Sequence, residues 1–156
     1  MGSRGWALMD IFIWDETMES GVPEIDRQHR TLFTAANELH EAILAGEGGG
    51  NFHAIKHVFH TETLRHFRRE ESLMRETGYP LEEAHRQEHR RFEDLLERMV
   101  SEEEAPTAFQ VLQVLNSMIR GHIVEVDLPM LRWVRSISDP RSLDAIRPSA
   151  LNPGDH

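Results

Sequence analysis

Seven side chains that can bind a metal ion recur along this chain, and they constrain its fold more than any other feature. They are His29, His66, Glu70, His85, His89, His122 and Asp127. His66 and Glu70 are four residues apart, and so are the next two histidines, a spacing that places two side chains on one face of an α-helix. The sequence therefore predicts a metal site in the interior of a helical bundle.

The types of donor narrow the choice of metal. Five are imidazoles and two are carboxylates, and the chain contains no cysteine, which excludes disulfides, zinc–thiolate sites and iron–sulfur clusters. Imidazole suits iron, copper and zinc, whereas carboxylate suits hard cations. Seven donors exceed the four that a single tetrahedral zinc takes. A pair of iron ions fits this mixture better than one ion does.

Apolar residues at helical spacing predict four helices with short connections. The first covers residues 25–43 and ends at a glycine cluster, the second runs from about 52 to the breaker at 78–80, the third covers 85–99, and the fourth runs from about 107 to 134. Four helices joined in this way are typical of an all-α, up-down-up-down four-helix bundle, in which facing helices build metal sites in the core. We predict that fold, with a di-iron site in its core.

Length and charge limit the organisation and the partners. A chain of 156 residues suits one domain, which we divide into an N-terminal extension (1–10), the bundle (11–135) and a polar, proline-containing tail (136–156). The net charge of −10 argues against nucleic acid as a partner, because phosphate contacts need clustered Lys and Arg. No apolar run is long enough to span a membrane. We expect a cytoplasmic monomer, with the tail as the candidate contact for a protein partner.

The fourth helix presents a difficulty. His122 and Asp127 are five residues apart, which leaves their side chains about 140° apart around a regular α-helix. Pro129 offers a partial remedy, because it removes one backbone hydrogen bond and disfavours regular helix just before it. We therefore expect a widened or kinked turn around Asp127.

The remaining histidines of the second helix point elsewhere. His53, His57 and His60 lie about 140° to 180° from the face that carries His66. We predict that they are surface residues and not ligands.

Four blocks of the sequence, in this order, resemble the bacterial hemerythrins. They are residues 14–29, residues 66–74, the pair His85 and His89 followed by Phe92, and His122-Ile123 with Asp127. The resemblance covers roughly residues 11–134. It implies a bundle around a non-haem di-iron centre that binds dioxygen.

The resemblance also implies a role for each ligand. Glu70 and Asp127 would bridge the two irons together with an oxo or hydroxo group. The other ligands divide into His85, His89 and His122 on one iron and His29 and His66 on the second iron, which keeps a position open for dioxygen. An apolar wall there would exclude water and protons. The candidate wall residues, each near a ligand on its helix, are Leu32, Phe67, Leu115, Met118 and Ile123.

Two residues depart from the family pattern. Met118 stands where a tryptophan is expected, and Glu62, one turn before His66, replaces an uncharged residue. Glu62 either interacts with the site, as a hydrogen-bond partner of a ligand imidazole or at the open iron position, or forms an ion pair with an arginine such as Arg65 or Arg68.

Three functions are compatible with these features. The first is reversible dioxygen binding for carriage, storage or delivery. The second is a sensor of oxygen, nitric oxide or iron redox state that signals through the tail, and the third is a di-iron oxidase or peroxidase. Oxygen-activating bundles favour carboxylate-rich sites, and this donor set is rich in histidine. We therefore expect an oxygen-binding protein and not an enzyme.

Overall fold

Four helical rods make up the computed structural model of this protein, which describes residues 11–46, 50–101, 103 and 106–138. The first three rods are α1 (Pro23–Leu44), α2 (Gly50–Thr77) and α3 (Glu82–Val100), preceded by a short 3-10 helix at Glu16–Met18. The fourth rod consists of α4 (Ala108–Asn116), a π-helix (Ser117–Asp127) and α5 (Leu128–Ser138). All the regular structure in these ranges is helical, so the predicted all-α four-helix bundle is confirmed.

Local signals in the sequence fix where the rods begin and end. The Asp26 carboxylate, in the first turn of α1, accepts hydrogen bonds from the backbone N–H and hydroxyl of Ser20. Thr107 and Gln110 form a reciprocal capping box at the start of α4. Gly78 follows the end of α2 with φ of 68°, a left-handed conformation that favours glycine. These boundaries set the rotational phase of each rod and thereby the direction of its predicted ligands.

The π-helix accounts for the unusual spacing in the fourth rod. In a π-helix each backbone N–H bonds to the carbonyl five residues earlier, so residues five apart lie about one turn apart. His122 and Asp127 therefore project to the same side, and the predicted widening is confirmed. It reaches back to Ser117, well beyond the turn that Pro129 can affect.

Two apolar clusters enclose a buried polar layer. The larger one includes Leu32 of α1, Phe67 of α2 and Ile123 of the π-helix. The smaller one contains Ile25, Leu73, Met74, Met130, Leu131 and Val134. Along each of these rods the predicted ligands lie between a residue of one cluster and a residue of the other. The layer is consequently shielded from solvent at both ends.

The segment before the bundle is fastened to it by polar contacts. The Phe12 N–H donates to Asn37 Oδ1 at 3.1 Å, and Asn37 Nδ2 donates to the Phe12 carbonyl at 2.9 Å. Arg120 of the π-helix donates to the Ile11 carbonyl at 3.1 Å and lies over the Phe12 ring. Phe12 is therefore held in the larger apolar cluster.

The fourth rod is longer than the sequence indicated. It continues to Ser138, so the predicted boundary between bundle and tail at residue 135 lies inside α5. Val134 is buried in the smaller apolar cluster, which holds this part of the helix against the core. The hydroxyls of Ser136 and Ser138 donate to carbonyls one turn earlier. The extension at 1–10 and the tail from 139 to 156 lie outside the described residues. None of the described helices is both long and apolar enough to cross a bilayer.

Replacing Asn37 tests the fastening of the N-terminal segment. Asn37→Ala should lower the free energy of unfolding by about 1–3 kcal/mol, because two buried backbone groups of Phe12 lose their partner. Glu38→Ala, an exposed neighbour on the same helix, should change it by less than about 0.5 kcal/mol. Urea unfolding followed by circular dichroism measures both, and equal losses would contradict this role.

Candidate metal centre

All seven predicted ligands converge in the polar layer. Each rod contributes at least one of them, and every one is at most 3% exposed. Their donor atoms form two groups, within each of which all atoms lie within 4.8 Å of one another. One group is Glu70, His85, His89, His122 and Asp127, and the other is His29, His66, Glu70 and Asp127. The two groups share both carboxylates.

Asp127 lies between the two groups of imidazoles. Its Oδ2 is 3.2 Å from His29 Nε2 and 3.1 Å from His66 Nε2. Its Oδ1 is 2.9 Å from the Nε2 atoms of both His85 and His122. Each oxygen of this carboxylate therefore faces a different group.

The two carboxylate oxygens of Glu70 also face different groups of imidazoles. Oε1 is 3.0 Å from His66 Nε2, and Oε2 is 3.2 Å from His85 Nε2. Neither oxygen has a hydrogen bond of acceptable geometry, and the same is true of Nε2 in His89 and His122. Buried polar atoms without a partner cost about 1–3 kcal/mol each. A cation among these atoms would satisfy them, so the donor set fits a metal.

Charge within the layer is strongly coupled. Burial disfavours charge on every group, but the neighbouring Glu70 and Asp127 outweigh it and raise the pKa of His66 to about 10. The balance at His85 is similar, and its pKa rises to about 9. Burial likewise opposes ionisation of the two carboxylates, yet the imidazoles hold the pKa of each well below its usual range. Protons thus compensate the buried carboxylates here, and metal cations can supply the same charge.

Two residues form hydrogen bonds with the Nδ1 atoms of predicted ligand imidazoles. His66 Nδ1 donates to Gln28 Oε1 at 3.0 Å, and His89 Nδ1 donates to Glu71 Oε1 at 3.0 Å. These bonds fix the tautomer that leaves Nε2 free for a metal. Arg68 donates to the Glu71 carboxylate at 3.1 Å, and the hydrogen bond from His89 lowers the pKa of Glu71. Neither Gln28 nor Glu71 was among the predicted site residues, although each adjoins a ligand in sequence.

Apolar side chains lie next to the layer. The five residues predicted for the wall are all fully buried in the larger cluster: Leu32, Phe67, Leu115, Met118 and Ile123. The Phe67 ring stacks on that of His89, with centroids 3.9 Å apart, and its edge approaches His122. Phe92 and Trp14, which were not predicted as site residues, approach His122 and His29 at 5.3 and 6.4 Å between centroids.

The remaining candidates lie away from the donor atoms. The Glu62 carboxylate is 3.5 Å from the guanidinium of Arg65. The hydrogen-bond partner of His66 Nδ1 is Gln28 and not Glu62. His57 is exposed, and His53 and His60 are half-buried. Within the described residues, neither donor group includes any of these three histidines.

Comparison with known proteins agrees with this geometry. The family model described as Hemerythrin HHE cation binding domain matches residues 20–134. A bacteriohemerythrin of Stenotrophomonas maltophilia (strain R551-3) is 34% identical over 84 residues, which are 54% of this chain and 54% of that protein. A bacteriohemerythrin of Pseudomonas aeruginosa (strain LESB58) is 33% identical over 90 residues, which are 58% of this chain and 56% of that protein. The matched part thus spans about half the length of these relatives.

The hydrogen bond from His89 to Glu71 can be tested by substitution. Glu71→Ala should weaken metal binding about 10- to 100-fold, because His89 loses the group that orients its ring and raises its basicity. Glu76→Ala removes an exposed carboxylate from the same helix and serves as the matched control. Competition of the Fe²⁺-loaded proteins with a chromogenic chelator gives the affinities. Equal affinities for the two variants would show that Glu71 has no such role.

Proposed function

Because this chain belongs to the hemerythrin HHE cation binding domain family, which binds iron, we propose that it is a non-haem di-iron protein that binds dioxygen reversibly. The observation that carries the proposal is the pair of donor groups that share Glu70 and Asp127. Two groups with two common carboxylates suit two adjacent cations better than one. The bacteriohemerythrins to which the chain is similar support the same conclusion.

The proposed ligand assignment follows the two groups. Glu70 and Asp127 would hold both irons, His85, His89 and His122 would bind one of them, and His29 and His66 would bind the other. One group therefore offers five protein donors and the other offers four. The difference leaves room for an external ligand on the side of His29 and His66.

The surroundings suit reversible binding. The iron pair, when bound, supplies reversible electron transfer to dioxygen. The protein's part is to hold the ligands and to exclude water and protons, which the buried side chains of Leu32, Phe67, Leu115, Met118 and Ile123 do. At the outer nitrogen of His66 the partner is the neutral amide of Gln28, which is a poor proton donor. A site of this kind favours binding over turnover.

Sensing of dioxygen, nitric oxide or iron redox state is a second candidate function. Its support is the continuity of the fourth rod, in which the ligand Asp127 ends the π-helix and α5 begins at the next residue. A change in the position of Asp127 would therefore be transmitted along α5 toward the C-terminal residues. A di-iron oxidase or peroxidase is less well supported, because the proposed site has five imidazoles and only two carboxylates.

Reversible colour is the direct test of dioxygen binding. The protein is loaded with Fe²⁺ without oxygen, exposed to air, and then degassed while its visible absorption is followed. A band that forms in air and disappears on degassing, over repeated cycles, is the expected result. Immediate and irreversible oxidation would overturn reversible binding and favour redox turnover.

Substitution of the shared carboxylates tests the di-iron assignment. The protein should bind about two irons per chain, and Glu70→Ala and Asp127→Ala should each lose the paired centre because both irons lose a bridge. His57→Ala serves as the control and should keep both irons, since His57 lies on the exposed face of α2. Iron analysis and Mössbauer spectroscopy provide the readouts. Protein that contains one zinc per chain and no iron after expression with iron supplied would refute the assignment.

We expect that Glu62 takes no part in iron or oxygen binding. Glu62→Leu should leave the iron content and the lifetime of the oxygenated form unchanged, because the carboxylate contacts Arg65. The change in stability should not exceed about 1 kcal/mol, as for other exposed ion pairs. Stopped-flow mixing of the reduced proteins with oxygen compares the lifetimes. A longer lifetime in the variant would mean that Glu62 delivers protons to the site.

A further inference from the structure

A pair of histidines on α2, apart from the metal centre, has its ring nitrogens directed at each other. His53 and His57 are four residues apart on the outer side of the helix, where His57 is exposed to solvent. Their Nε2 atoms are 3.1 Å apart, and the ring centroids are 4.5 Å apart with 72° between the planes. Two nitrogens of this kind can act as donors to a common metal ion.

The geometry of this pair matches that of pairs inside the metal centre. His29 and His66 also have Nε2 atoms 3.1 Å apart, with centroids 4.5 Å apart and 68° between the planes. His85 and His89, the other pair at a spacing of four, have centroids 4.6 Å apart and 73° between the planes. The surface pair is therefore arranged like side chains that the bundle presents to iron.

The distance between the two nitrogens suits a shared metal ion. Zinc–imidazole bonds are about 2.0–2.1 Å long, so two of them at a tetrahedral angle span about 3.3 Å. The observed separation is close to that span. Imidazole favours first-row ions late in the series, with Cu²⁺ and Zn²⁺ bound more tightly than Mn²⁺ or Fe²⁺.

We propose that His53 and His57 form a second metal site, which binds one Zn²⁺ or Cu²⁺ ion at the surface of α2. Two protein donors leave the other coordination positions to water or to a small chelating ligand. The site is separate from the buried centre, because the nine residues from His57 to His66 correspond to about 13 Å along the helix. It does not depend on the proposed function of that centre.

Zinc titration of the iron-loaded protein tests this site. Isothermal titration calorimetry with ZnCl₂ should show one site per chain beyond the iron. His53→Ala and His57→Ala should each weaken it by at least about tenfold, because one of two protein donors is lost. His40→Ala, which removes a histidine from α1, is the matched control and should leave the affinity unchanged. Iron content measured in the same samples should be equal in all four proteins.

Thermal unfolding gives an independent readout. A ligand that binds only the folded state raises its melting temperature. Zinc should therefore stabilise the wild-type protein and His40→Ala more than it stabilises His53→Ala or His57→Ala. The alternative is a hydrogen bond between two neutral rings with no affinity for metal. Absence of a zinc site in the wild-type protein, or a site in His53→Ala and His57→Ala that is as strong as in the wild-type protein, would overturn the proposal in favour of that hydrogen bond.

Discussion

Charge compensation of two buried carboxylates is the constraint on which the rest of this structure depends. Glu70 and Asp127 are completely buried, and an isolated carboxylate in such a place is strongly disfavoured. Each carboxylate has one oxygen near the imidazoles of one donor group and the other oxygen near the second group. The carboxylates raise the pKa of His66 to about 10 and that of His85 to about 9, so protons on these two imidazoles can balance the charge. With iron bound, the cations take over that role, so metal binding and the stability of the bundle are linked.

This arrangement requires the π-helix. In a regular α-helix the side chains of His122 and Asp127 would point about 140° apart. Asp127 could then not reach both groups of imidazoles. A continuous π-helix of 11 residues is less favourable than α-helix, and it is held in place by packing. Ile119 and Ile123 lie in the larger apolar cluster on one side of the layer, and Met130 lies in the smaller cluster on the other. The binding site and the core therefore stabilise each other.

The sequence predicted the features that follow from helical periodicity. The four rods, the ligand pairs of α2 and α3 and the burial of the apolar residues all repeat at a spacing that can be counted in the chain. A widened or kinked turn was predicted only around Asp127, because Pro129 is a local signal, and the π-helix that extends back to Ser117 was not predicted. Gln28 and Glu71 were missed because a polar residue beside a ligand resembles ordinary surface until its partner ring is known. The helix at Ser136 and Ser138 was not predicted because serines are weak helix formers, whereas in the structure the buried Val134 holds this part of α5 against the core.

The central claim is that these side chains hold two adjacent irons bridged by Glu70 and Asp127. Anomalous diffraction at the iron edge, from crystals of the iron-loaded protein, tests it most directly. The account predicts two iron peaks in the buried layer, both within bonding distance of Glu70 and Asp127, with the iron bound by His85, His89 and His122 separate from the iron bound by His29 and His66. A single peak there, or a pair of peaks that do not share the two carboxylates, would contradict it.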